Sequence, residues 1–195
     1  MHIDTMSHQL TVTDKILAKT LLPIIPQWVT PNSITWFRFA SIPFVAYLLA
    51  SEQYIPGLIL FFLSAFSDAI DGSLARTRNQ VTEWGKTHDP FADKLLIGAA
   101  TVILVSRFLS IYLAATIIGL ELFLLLGAVY RKRTQGIPIE VEISGKVKMV
   151  LQSLGIAALL LSIIFHVPEF LIVAEYLLYL AIIFAIISLV VYKSI

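Results

Sequence analysis

Cysteine is absent from the 195 residues. No disulfide can hold the fold, and no thiolate cage for a soft metal can form. Charge is scarce as well: Asp, Glu, Lys and Arg together make up 14 %, against about 25 % in an ordinary soluble domain. The net charge is +1, so there is no polybasic surface of the kind that binds nucleic acid. The first twelve residues lack a basic stretch followed by an apolar core, and no cleavable signal peptide is expected. No Gly-x-Ser-x-Gly, His-Glu-x-x-His or Gly-x-Gly-x-x-Gly motif occurs. Gly145-Lys146 does not open a phosphate loop, because Val147 follows where Ser or Thr is needed.

What fills the chain is hydrophobic. Apolar residues make up 58 % and the mean hydropathy is +0.87, values of a polytopic membrane protein. Six apolar segments stand at about 34–51, 54–79, 89–107, 110–130, 145–165 and 170–192. Each is near or above the length that crosses a hydrocarbon core, about 20 residues at 1.5 Å each. The expectation is one all-α integral membrane domain over residues 1–195, with six transmembrane helices. Ahead of them, at 14–22, Ile16, Leu17, Leu21 and Leu22 oppose Lys15 and Lys19. That pattern predicts a short amphipathic helix in the membrane interface. Pro23 and Pro26 then break the chain, and Trp28 suits an interface anchor. Pro31 and Asn32 suit the start of the first span.

An even number of spans puts both termini on one side of the membrane. Of the 14 Lys and Arg residues, only Arg107 falls on the opposite side, and the positive-inside rule makes the terminal side cytoplasmic.

Against this apolar background four carboxylates stand out. Asp68, Asp71, Asp89 and Asp93 follow at intervals of 3, 18 and 4 residues. Asp68 and Asp71 share one helix face, and Asp89 and Asp93 share another. A turn around Trp84-Gly85 is expected to bring the two pairs together. Acids at the ends of membrane helices are costly and point to function. Converging oxygen donors suit Mg2+, Mn2+ or Ca2+, and four carboxylates outnumber the charge of one divalent ion, so two ions are expected. Gly72 and Ala75 leave a notch on the Asp68 face, with Arg76 as a counter-charge for a pyrophosphate. Glu121, inside the fourth segment, is open to two readings: partner of a basic group in the bundle, or contact to substrate.

Residues 68–93 read D-x2-D-G-x2-A-R-x8-G-x3-D-x3-D, which resembles the CDP-alcohol phosphatidyltransferase family at every specified position. The hydropathy outside the motif is also similar to that family along nearly the whole chain. The resemblance implies transfer of a phosphatidyl group from CDP-diacylglycerol to an alcohol, with release of CMP. It implies Asp68, Asp71, Asp89 and Asp93 as metal ligands and Asp93 as the base. It places the CDP-lipid against Asn32, Thr35, Asp68, Gly72, Ala75, Arg76 and Thr82. A homodimer in the cytoplasmic (inner) membrane is also implied, with active site and termini facing the cytoplasm.

Residues 82–96 and Gly145-Lys146-Val147-Lys148 with Gln152 look like the phosphatidylglycerophosphate synthase branch, whose acceptor is sn-glycerol 3-phosphate. Arg131, Arg133, Lys146 and Lys148 are then the cations for the acceptor phosphate. One departure counts against that branch: Leu120 stands before Glu121 where Arg is usual. Phosphatidylglycerol (giving cardiolipin), inositol phosphate and serine remain alternative acceptors. Outside enzymes, intramembrane acids also mark ion-coupled transporters, which would distribute them along a path through several spans.

Overall fold

A computed structural model describes residues 17–135 and 143–193. Every regular element among them is helical. We number the long helices α1 (Pro31–Ala50), α2 (Tyr54–Thr77), α3 (Glu83–Ala100), α4 (Ile111–Gln135), α5 (Ile143–Phe165) and α6 (Pro168–Lys193). A π-helical segment (Thr101–Val105) and one last turn (Ser106–Phe108) continue α3.

Among the described residues five helical segments are long and apolar enough to cross a membrane: Pro31–Ala50, Tyr54–Thr77, Ile111–Val129, Ser144–Phe165 and Pro168–Val190. They carry the expected all-α, multi-pass character. The run through α3 is not among them, because Asp89, Asp93, Lys94 and Arg107 interrupt its apolar stretch. Large side chains on these helices are widely exposed, among them Phe44, Phe62, Phe123, Leu126 and Tyr176. In water such a surface would aggregate; facing lipid it is satisfied. Residues 14–16 of the expected interfacial helix lie outside the described residues. Leu17 to Thr20 are helical, and a 3-10 turn follows at Leu22–Ile24, where Pro23 stands.

Local chemistry sets the helix ends. Thr30 caps α1: its hydroxyl accepts from the Ser33 amide at 3.2 Å, and the Ser33 hydroxyl accepts from the Thr30 amide at 3.1 Å. Pro31 fits the first helical position. Thr82 caps α3, accepting from the Gly85 amide at 3.0 Å. The helix therefore starts at Glu83 rather than 89, and Trp84 and Gly85 lie inside it. The turn expected around them falls instead between Thr77 and Glu83. Glu52, Asn79 and His166 adopt φ of 62°, 51° and 57°, the left-handed conformation that closes helices.

The chain forms two compact units, Met1–Val45 with Ile59–Leu96, and Ala46–Leu58 with Ile97–Ile195. In the first, Phe61, Leu74, Ala92 and Leu96 are buried beside a polar seam: Ser41 and Ser64 share a hydrogen bond, and Ser67 donates to the Ser64 carbonyl at 2.7 Å. In the second, Leu104, Ile156, Leu159, Leu160 and Leu178 form the core. Gly155 allows α5 and α6 to close up, since a Cβ there would lie 3.0 Å from the Leu178 side chain. In this unit Glu52, in the turn after α1, pairs with Arg107, on the helical turn Ser106–Phe108, at 2.6 Å.

Candidate active site

Arg38 is the centre of the first unit. α1 is an apolar helix, and Arg38 on it has no exposed surface. A guanidinium so placed is tolerable only with full pairing. Its Nη1 donates to Asp68 Oδ1 at 3.0 Å and to Asp93 Oδ1 at 2.8 Å. Its Nη2 donates to Asp71 Oδ2 at 2.7 Å, and Nε donates to Ser67 Oγ at 3.3 Å. The pair on α2 and the second acid on α3 thus converge on one side chain. Asp89, one turn before Asp93, is reached by Thr35, whose hydroxyl donates to Asp89 Oδ1 at 2.6 Å. Thr35 and Arg38 lie one turn apart on α1, so one helix face tethers all four acids.

The acids differ in exposure. The Asp71 side chain is 2 % exposed, Asp93 17 % and Asp68 45 %. Solvent therefore reaches the cluster on the Asp68 side. Among the described residues no three acidic or imidazole groups stand ready as a metal cage; the oxygens turn to Arg38 instead. The donor set nevertheless fits a hard divalent ion. It is all oxygen, three carboxylates meet around a single guanidinium charge, and Asp68 is open to solvent. Gly85 leaves space beside Asp89: a Cβ there would sit 3.3 Å from Asp89 Oδ2 and 3.5 Å from Asn32 Oδ1.

The residues assigned by resemblance to the CDP-lipid lie in this same unit. Thr82 donates its hydroxyl to Asn32 Oδ1 at 2.8 Å, joining the start of α1 to the start of α3. Arg76 lies over Gly72, where a Cβ would come within 3.3 Å of Nη1. Ala75 is half-buried on the same helix. His88, the imidazole closest in sequence to the acids, is engaged elsewhere. It stacks on Trp84 at 4.3 Å, and its Nδ1 lies 2.8 Å from the Trp84 carbonyl.

A second polar group lies in the other unit. Lys148 on α5 is buried and pairs with Glu121 on α4. Glu121 is thus a partner of a basic group, one of the two readings open from sequence. Its Oε2 is buried with no partner among the described residues, and a cavity of about 10 Å3 adjoins the pair, room for one water. Gln152 donates to Thr101 Oγ1 at 3.4 Å, on the π-helical segment. Lys146 is exposed. The side chains of Arg131 and Arg133 lie outside the described residues.

Arg38 as the hub was not foreseen from sequence, although a signal existed. It is the one cation inside the apolar run 34–51, and a buried charge implies a buried partner.

Comparison with known proteins bears on this geometry. The family model for CDP-alcohol phosphatidyltransferase matches residues 28–187, which include Arg38, the four acids and the Glu121–Lys148 pair. A Bacillus subtilis (strain 168) protein named CDP-diacylglycerol–glycerol-3-phosphate 3-phosphatidyltransferase is 37 % identical over 147 residues, covering 67 % of this chain and 76 % of that protein. The Escherichia coli (strain K12) protein of the same name is 34 % identical over 144 residues, 69 % of this chain and 78 % of that protein. One from Rickettsia typhi is 39 % identical over 80 residues, 40 % of this chain and 45 % of that protein. With its eight-position acid motif intact and a family match over most of its length, the chain belongs to the CDP-alcohol phosphatidyltransferase family.

Proposed function

We propose that this chain makes phosphatidylglycerophosphate, transferring the phosphatidyl group of CDP-diacylglycerol to sn-glycerol 3-phosphate and releasing CMP. The observation that carries the reading is its likeness, at 34–39 % identity, to the bacterial proteins named for that reaction. The acid motif and the Gly145-Lys146-Val147-Lys148 segment agree with it.

In the reaction, a hydroxyl oxygen of the acceptor attacks the phosphatidyl phosphorus. The bond from that phosphorus to the bridging oxygen breaks, and CMP departs with the bridging oxygen. An alcohol at neutral pH attacks poorly unless its proton is taken. Asp93 is the proposed acceptor of that proton. Asp68, Asp71, Asp89 and Asp93 would hold Mg2+ or Mn2+, most simply as two ions. When bound, such ions supply positive charge to the pyrophosphate. Asn32, Thr35, Asp68, Gly72, Ala75, Arg76 and Thr82 would bind the CDP moiety. Of these, Gly72 keeps the α2 backbone open beside Arg76. Arg131, Arg133, Lys146 and Lys148 are the proposed cations for the acceptor phosphate, Lys146 being exposed and Lys148 already held by Glu121.

Metal dependence is the direct consequence. CMP release should stop in EDTA and return with Mg2+ or Mn2+. Full activity in chelator would remove the acids' proposed role.

The run through α3 is proposed as a sixth span, since Glu83 to Phe108 is helical without a break. Six spans and the charge bias then set both termini and the active site on the cytoplasmic face of the cell membrane, in a homodimer. A cysteine introduced at Gln135 should react with a membrane-impermeant thiol reagent in inverted vesicles and not in intact cells. Labelling from outside would reverse the orientation.

A further inference from the structure

Arg38 uses its whole polar edge on the acid cluster. Nη1 serves two carboxylates, Nη2 a third, and Nε a serine hydroxyl, at 2.7 to 3.3 Å. One guanidinium thus reaches Asp68, Asp71 and Asp93 together. Three carboxylates at such range repel one another strongly in a poorly screened site.

We propose that Arg38 is a built-in counter-ion that competes with the divalent metal for these carboxylates. It keeps the site assembled when no metal is present and sets a threshold on metal affinity. The inference rests on the reading that the acids bind a divalent cation. Two cations sharing one set of carboxylates disfavour each other, so metal and guanidinium draw on the same negative charge. The alternative role for a buried arginine is positioning: it would orient the carboxylates so that metal binds better. The two roles differ in sign. A competitor, once neutralised, leaves metal bound more tightly; an orienting group, once neutralised, leaves it bound more weakly. Ser67 offers a gentler lever. Its hydroxyl accepts from Nε at 3.3 Å, and losing it loosens Arg38 without removing charge from the cluster.

The test is Mn2+ titration of the full-length protein in detergent, with free Mn2+ read from its paramagnetic resonance signal. Wild type, Arg38→Gln and Ser67→Ala are compared, with size-exclusion and far-UV circular dichroism as checks of folding. Arg38→Gln should tighten Mn2+ binding at least about tenfold, since a unit charge a few Å away at an effective dielectric near 20 is worth more than that factor. Ser67→Ala should tighten it by about two- to fivefold, the scale of one weak hydrogen bond. Unchanged or weaker binding in Arg38→Gln overturns the proposal. If that variant fails to fold, unchanged or weaker binding in Ser67→Ala does so. Absence of Mn2+ binding in wild type and both variants overturns the divalent-metal reading itself, and the proposal with it.

Discussion

Asp93→Asn is expected to lower kcat by about 10²- to 10⁴-fold, the usual cost of losing general-base catalysis, while CDP-diacylglycerol still binds. The fold should survive. The amide oxygen of Asn can still accept from Arg38 Nη1, where Asp93 Oδ1 now accepts at 2.8 Å, and Asp68 and Asp71 still balance the guanidinium. What Asn cannot do is take a proton. Asp68→Asn is the informative comparison. Asp68 is the most exposed of the three acids around Arg38, and its proposed work is to hold metal. Its variant should recover much of its activity as Mg2+ is raised, because weaker binding is offset by mass action. Asp93→Asn should not recover. The measurement is kcat and KM for CMP release across a Mg2+ series. Equal rescue of both variants would make Asp93 another ligand and send the proton elsewhere.

The second large effect concerns stability. Lys148→Met should cost about 3–5 kcal/mol, the penalty for stranding one partner of a buried ion pair. Glu121 is 16 % exposed on its side chain and Lys148 5 %. Among the described residues Glu121 Oε2 already lacks a partner, so none of them offers a spare hydrogen bond to the abandoned charge. For a chain of this length the loss corresponds to roughly 6–20 °C in Tm, readable by thermal unfolding in detergent. Adding Glu121→Leu to Lys148→Met should restore most of it, since an apolar replacement of both partners is often neutral. If stability returns while activity does not, Lys148 also serves the reaction. An unchanged Tm in the single variant would mean that water already solvates the pair.

The sequence announced much of this because membrane helices and acid motifs both leave strong local signals. α2, α5 and α6 lie within a few residues of the expected spans, since long apolar runs have few competing conformations. The acid pairs follow from i,i+3 and i,i+4 spacing alone. What stayed hidden was tertiary. Which cation fills the space between Asp68, Asp71 and Asp93 depends on how α1 packs against α2 and α3, and no spacing within one helix reports that. The start of α3 was misplaced for a local reason. The third segment is expected from 89, but the Thr82 hydroxyl accepts from the Gly85 amide, and the helix starts at Glu83 and runs through Pro90. The π-helical segment at Thr101–Val105 has no sequence signature of its own. The pairing of Glu121 was open from sequence because its partner lies 27 residues away on another helix.

The measurement closest to the central claim is an acceptor panel: purified full-length protein, CDP-diacylglycerol and Mg2+, with CMP release and lipid product followed for each alcohol. sn-Glycerol 3-phosphate should release CMP and form phosphatidylglycerophosphate, and Lys146→Gln should raise the KM for that acceptor more than for CDP-diacylglycerol. CMP release only with phosphatidylglycerol, inositol phosphate or serine would contradict the proposed acceptor, and no release with any alcohol would contradict the proposed transfer.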